Sequence, residues 1–461
     1  MPVTIPRANY ALVSLLALGF LGAAPARLEA ASRRTSVVVA EINAANAALS
    51  TAERAEKYAA MKVSPAAFFR GSNHLYWKDL GRSPHLATYG GVVATRTFLA
   101  GDLHVDNFGV FDDDQGDVVY AINDFDQAVV GDYQLDLWRL ATSIVLSARA
   151  NGGFSGAQEA AALDAFTEAY LDAMAAHAGS SAETTAKFVA GNTYGLLDEL
   201  LVDAEQDHDR VEMLGDWTIL VAGVRRLDTA GNPDLASVSS AVESDLRARM
   251  TAYRGTLSGG GSFPASFFAV KSVAQRLHAG LGSLGARRYY VLIEGATSSQ
   301  SDDRILDFKA QQAPEGLAYL DSSAAAFTTF VCTGNHALRG VLAYKALGYR
   351  VDDLLGYVTL ADGKAYSVRE RSPYKETFDT SQLTSITRLT NLAEQWGTIL
   401  AAHHARADRD WDASVFPGSL DGAIDAFTDG DHAGVRALVR AIALDYASQV
   451  ALDHASFVAS F

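Results

Sequence analysis

The 461-residue chain carries a single cysteine, Cys332, which excludes an intrachain disulfide and any cysteine-built metal cluster. Proline is scarce, with 10 residues, so collagen-like and proline-rich low-complexity architectures are excluded as well. Basic charge is in deficit. With 38 basic against 54 acidic residues the formal net charge is −16, which disfavours nucleic acid and anionic lipid as partners. The apolar stretch from Ala11 to Ala24 is too short for a comfortable membrane span. Arg7 precedes it and Ala24-Pro25-Ala26 ends it, the charged, apolar and small-residue succession of a secretory leader. Residues 1–26 are therefore expected to be removed, leaving a periplasmic or secreted protein with no membrane span. Left uncleaved, the leader would be a buried helix of a cytoplasmic protein. It contains no cysteine for a lipid anchor.

What is present is ordinary globular material: 49% hydrophobic and 20% charged residues, in a chain long enough for two or three domains of about 150 residues. Residues 27–97 read as a helical segment, with a stop and restart at Ser64-Pro65, followed by an aromatic strand region at "AAFFRGSNHLYWKDL". Residues 98–256 read as a mostly helical lobe. It opens with short strands over Phe98 to Val110 and Val118 to Phe125 and continues into the buried helix "LDLWRLATSIVLSARA". A linker, "LSGGGSFP", separates it from residues 265–372, where "RRYYVLIEG" with "RILDFKA" and "LGYVTLADGKAYSVRER" alternate like strands of hairpins. Helices return over residues 373–461. The spacing shows no internal repeat.

The chemistry is concentrated in "GDLHVDNFGVF", Gly101 to Phe111, and "YAINDFDQA", Tyr120 to Ala128. Acids framed by that many apolar residues need a cation or a proton. Asp102-Leu103-His104-Val105-Asp106-Asn107 fits the D-L-x-x-x-N spacing of a phosphotransferase catalytic loop, in which the aspartate orients or deprotonates the acceptor and the asparagine helps hold magnesium. Asp124, about twenty residues on at a strand end, is placed as the metal-holding aspartate, with Asp126 as its neighbour in the metal site. His104 reads as a hydrogen-bonder to backbone. Arg70, Arg139 and Arg369 would pair phosphate or brace internal carboxylates.

Gly280-Leu281-Gly282-Ser283-Leu284-Gly285 is a G-x-G-x-x-G that leads into a strand and not into a helix. That order disfavours a dinucleotide fingerprint and favours a glycine-rich hairpin over phosphates, built from Gly280, Gly282, Ser283 and Gly285. Lys309, in the next strand-like run, is then where a phosphate-pairing lysine belongs. In a kinase the lysine hairpin precedes the catalytic loop; here it follows. Reading Gly280 to Arg406 first and Phe98 to Arg149 second restores the succession, which implies circular permutation.

Five patches, "SPAAFFRG", "GDLHVDNFG", "INDFDQAVVGDYQLDLWRLATSIVLSAR", "GLGSLGARRYYVLIEG" and "LAAHHAR", together resemble the uncharacterised bacterial family catalogued as domain of unknown function 2252. The resemblance spans about Lys57 to Asp408. It implies a relative of the kinase-like and aminoglycoside-phosphotransferase-like folds: α+β, two-lobed, circularly permuted in this chain, with a helix-rich larger lobe, Mg2+ and ATP or another nucleotide as cofactors, and an acceptor that the family does not specify. It also implies that Asp136, which with Leu137 begins a helix, braces the catalytic loop, supported by His104 and Arg139. One departure stands out. Arg339 occupies the helix that usually supplies a glutamate to the lysine, and Glu315 and Asp321 are the acids between Lys309 and Asp352.

Two other functions fit part of the pattern. A noncatalytic nucleotide-binding protein fits Arg339 and secretion into a compartment poor in ATP. A metallophosphoesterase fits Asp102-Leu103-His104, Gly131-Asp132 and Gly334-Asn335-His336 in order, with His403-His404 beyond.

Overall fold

The computed structural model describes residues 24–258, 262–278, 280 and 285–461. Most of the expected leader lies outside them. The first helix, α1 (Ala24–Ala45), buries Val38 and Ile42, and α2 (Thr51–Met61) starts at a capping box in which Ser50 and Glu53 satisfy each other's backbone N–H groups. The expected restart occurs: Ser64 caps α3 (Pro65–Gly71), with Pro65 where a helix tolerates a missing N–H. The aromatic stretch forms no strand. It continues as α4 (Asn73–Leu80), which buries five consecutive residues, Asn73 to Trp77, so its aromatics show no helical stripe and read as strand formers.

A short helix α5 (Leu86–Tyr89) leads to β1 (Arg96–Leu99), which pairs antiparallel with β4 (Val129–Asp132). Between them, β2 (Phe108–Asp112) and β3 (Val118–Ile122) form the expected hairpin. Phe98 to Val110 is not one strand: residues 100–107 are a loop ending in a 3-10 turn, Val105–Asn107. The long helices α6 (Gln134–Asn151) and α7 (Gly156–His177) follow, then α8 (Leu196–Asp207) and α9 (Arg210–Trp217).

The mostly helical stretch expected over residues 98–256 is interrupted by a hairpin, β5 (Thr218–Val221) with β6 (Val224–Leu227), and by β7 (Leu235–Ala236), before α10 (Ser240–Arg254). Ala222 and Gly223, both at positive φ, make the turn that periodicity alone did not reveal. The strands β8 (Val270–Arg276), β9 (Arg288–Ile293) and β10 (Arg304–Ala310) precede α11 (Ser322–Val331) and α12 (His336–Leu347). The hairpin β11 (Gly356–Thr359) and β12 (Ala365–Glu370) completes a six-stranded antiparallel sheet, ordered β11-β12-β10-β9-β8-β7. Leu306, Phe308 and Tyr366 pack on Leu246, Met250 and Tyr253 of α10, while Ile305, Tyr290 and Leu292 pack on Met213, Leu214 and Trp217. Residues from about 213 to 257 thus belong with this sheet, an earlier start than the expected 265.

The chain ends in α13 (Ile386–Arg406), α14 (Arg409–Asp412), α15 (Leu420–Thr428) and α16 (His432–Ser460). Helices α13 and α7 meet at Gly397, where an added Cβ would lie 2.2 Å from the Phe166 carbonyl oxygen, so only glycine permits this approach. The protein is mixed α+β, with a small sheet lobe beside a larger helical one. No described helix is long and apolar enough to cross a membrane.

Candidate functional site

The loop after β1 is pinned by the first turn of α6. Asp136 accepts from the backbone N–H of Ala100 (2.6 Å) and Gly101 (3.2 Å), while Asn73 and Trp77 donate to the Gly101 carbonyl at 3.1 and 2.7 Å. Gly101 sits at φ +79°, and a Cβ there would lie 2.0 Å from the Gln127 carbonyl oxygen. Asp136 therefore braces the loop. His104 Nδ1 accepts from the Asp106 N–H at 3.2 Å, and burial beside Arg70 and Arg139 holds the imidazole well below its ordinary value, so it stays a neutral acceptor.

Asp102 emerges from this loop and pairs with Arg139, whose guanidinium is fully buried 4.1 Å from the Phe69 ring centroid. The internal carboxylate that Arg139 braces is Asp102 and not Asp136, its neighbour one turn earlier, because Asp136 is spent on backbone. Burial pushes Asp102 up to about 7, with Arg139 opposing the rise and Glu315 and Asp124 adding to it. Arg70 braces Asp106 at 2.6 Å. The Asn107 carbonyl accepts from the Asn123 N–H at 2.9 Å, which sets Asn107 beside the strand end that carries Asp124.

Lys309, from β10, reaches this strand end. Its ammonium contacts Asp126 and lies 3.8 Å from Asp124. Gln311 adds a 2.6 Å bond to Asp126. Burial alone would raise Asp126, but Lys309 and Gln311 outweigh it and hold the carboxylate below its usual range. Asp126 is thus the partner of the lysine rather than a free metal ligand, while Asp124 keeps 44% of its side chain exposed. A recess of about 40 Å³ lies among Asp124, Asp126, Lys309, Ser367 and Arg369.

Arg339 explains the missing glutamate. It is buried on α12 and donates to the carbonyls of Ala128 (2.6 Å), Asp126 (2.7 Å) and Gln312 (3.1 Å), tying the Asp124–Ala128 loop to the segment after β10. The helix that would position Lys309 by an ion pair fixes the lysine's partner loop by its backbone.

The glycine-rich stretch lies in the chain between the antiparallel strands β8 and β9. Gly282 and Ser283 lie outside the described residues. Gly285, at φ +85°, faces α2: a Cβ there would come 2.3 Å from Leu49 Cδ2, while Gly280 meets nothing within 4 Å.

Two further groups join the site. Lys57, buried on α2, is held below its ordinary value by burial, while the carboxylates of Glu315 and Asp102 pull the other way. Glu315 lies 3.7 Å from His74. No spacing marks either residue, since each comes from a segment far along the chain from the acidic motifs. The metallophosphoesterase set does not gather among the described residues. Asp132 accepts from Gly91, Thr95 and Gln134, His336 starts α12, and His403 hydrogen-bonds the Ile399 carbonyl.

A mixed α+β protein with two carboxylate loops facing a sheet lysine is the class that the structure defines. The chain belongs to the family described as uncharacterized protein conserved in bacteria (DUF2252), whose family model matches residues 51–460. Comparison with curated proteins and with solved structures returns no match.

Proposed function

We propose that this protein is a circularly permuted, kinase-like phosphotransferase acting on a small-molecule or protein acceptor. The observation that carries the reading is Lys309 lying 3.8 Å from Asp124, brought together from opposite halves of the chain, with the charge of Asp124 acting on Asp102 and the Asn107 backbone bonded to the adjoining Asn123. The element order supports it. Taken from β8 through α13 and then from β1 to α6, the elements run glycine hairpin, lysine strand, helix, hairpin, long helix, catalytic loop, metal aspartate and bracing aspartate.

Asn107 and Asp124 offer amide and carboxylate oxygens, the hard donors that Mg2+ takes, and the exposed Asp124 carboxylate leaves room for it. Bound there, the ion would neutralise charge on the donor phosphates. The residues of the chain do the remainder. Lys309 pairs a donor phosphate oxygen, exchanging part of its contact with Asp126. Asp102, held near neutrality by Arg139 and burial, accepts the proton of the acceptor hydroxyl as its oxygen bonds to phosphorus and the bond to the donor's bridging oxygen breaks. A noncatalytic nucleotide-binding protein is the second reading, favoured by the closure of Lys309 onto Asp126 in place of a helix glutamate.

The test is the thermal midpoint of the full-length protein with and without ATP and Mg2+, beside Lys309→Ala and Asp124→Asn. At a hundred times the dissociation constant, the ligand adds about 2.7 kcal/mol and raises the midpoint by about 3 °C. The wild type alone is expected to respond. No response in the wild type overturns both nucleotide readings; a response without turnover on any acceptor selects the second.

A further inference from the structure

Three polar head groups beside the loop after β1 are left unspent by the contacts described above. Lys57 is 9% exposed on α2, yet its ammonium makes no hydrogen bond and meets no carboxylate within 4.0 Å among the described residues. Its tip is not sealed from solvent, unlike both ring nitrogens of His74. Glu315 keeps 28% of its side chain exposed, and its carboxylate stops 3.7 Å from His74 Nδ1, beyond hydrogen-bond distance. Asp102 gives Oδ1 to Arg139, and its Oδ2 accepts no hydrogen bond.

Segments far apart in the chain bring the three together. The 3-10 turn Glu315–Ala318 follows β10 and is tied to the acidic loop, where the Gln127 side chain accepts from the Glu315 N–H at 2.7 Å. Gly316 is pressed against α4: a Cβ there would come 2.6 Å from Trp77 Cε2. Burial lowers Lys57, the carboxylates of Glu315 and Asp102 oppose that fall, and Glu315 in turn raises Asp102, so the three heads act on one another. Both carboxylates stand more than 4.0 Å from the ammonium, which leaves room for an oxygen between them. Two groups that hydrogen-bond one oxygen are themselves about 4–6 Å apart.

The chemistry of the heads selects what fits. Lys57 and Arg139 offset Glu315 and Asp102, so the region favours neither a cation nor an anion over a neutral group. A hydroxyl accepts from an ammonium and donates to a carboxylate at once. A serine or threonine side chain of a protein acceptor brings one hydroxyl, which Asp102 takes, and leaves Lys57 and Glu315 unfilled. A small molecule with several hydroxyls fills all three. We infer that Lys57 and Glu315 select the acceptor, and that the acceptor is a small neutral polyol with one hydroxyl at Asp102 and another between Lys57 and Glu315. The inference rests on the phosphotransfer reading for the fate of the first hydroxyl, and on the three unspent heads for binding.

The experiment is saturation-transfer difference NMR of the full-length protein in EDTA, without nucleotide, against glycerol, ribose, glucose and myo-inositol, with glucosamine and gluconate as charged controls. At least one neutral polyol is expected to bind saturably and more tightly than either control. Its affinity should fall at least tenfold in Lys57→Met and in Glu315→Gln and stay within threefold in the charge-conserving Lys57→Arg. Near-ultraviolet circular dichroism identifies folded variants, and Glu315→Gln, at a partly exposed side chain, carries the test if Lys57→Met does not fold. No saturable binding of any of the four polyols to the wild type, unchanged affinity in the folded neutral variants, or tighter binding of a charged control would overturn the inference. A protein that responds to Mg-ATP but binds no polyol keeps the phosphotransfer reading and loses this one; a protein that binds a polyol and ignores Mg-ATP loses the nucleotide readings and keeps the site.

Discussion

Replacing Arg339 by methionine tests whether the helix beside Lys309 works through backbone rather than through an ion pair. The side chain is 1% exposed and donates to three carbonyls, at 2.6, 2.7 and 3.1 Å. Methionine fills much of the space and supplies no donor, so one buried acceptor and two part-buried ones lose a charged partner at about 1–3 kcal/mol each, with partial relief as the loop relaxes and water reaches the Gln312 carbonyl. The expected loss is about 3–5 kcal/mol. Melting entropy of about 2.1 cal/mol/K per residue makes one degree worth ~1 kcal/mol for a chain of 461 residues, so the midpoint falls by about 3–5 °C in differential scanning calorimetry. Arg339→Glu sharpens the test. A kinase-like lysine–glutamate pair would make it the better tolerated change, whereas the structure sets its carboxylate against the carbonyls of Asp126, Ala128 and Gln312 and makes it the worse one. A methionine variant within 1 °C of the wild type, or a glutamate variant melting above it, would refute the reasoning.

The loop and the buried histidines give two more expectations. Asp136→Asn presents an NH2 group to one of the two N–H donors it now accepts, from Ala100 and Gly101, and should lose about 2–3 kcal/mol in urea unfolding; a loss under 0.5 kcal/mol would show that the loop needs no brace. His403 is fully buried, and burial with Arg406 nearby lowers it to about 3, so the unfolded chain binds its proton first. Stability from this group is complete above about pH 6.5 and is lost as pH falls towards 3, by up to about 1.4 kcal/mol per pH unit. The gap between wild type and His403→Asn should narrow with that slope between pH 6 and 4, and a pH-independent gap would show that His403 is not buried as a neutral ring.

Local signals carried much of the architecture. Ser64-Pro65, the Asp362-Gly363 turn between β11 and β12, and the apolar spacing of α6 and α13 each act through neighbours a few residues apart, so they were legible in the chain itself. So were Asp102, Asn107, Asp124 and Lys309, since their spacing reflects where loops leave strands. The aromatic helices α3 and α4 were not, because burial on several faces erases the periodicity that separates helix from strand, and the hairpin β5–β6 was not, because its apolar residues Ile219, Leu220, Val221 and Val224 are exposed in a row and do not alternate.

The amino-acid sequence by itself determined which residue types meet in the acidic loops and the order of the elements that carry them. Tertiary structure alone decided the pairings: Lys309 with Asp126, Arg139 with Asp102, and Arg339 with three carbonyls.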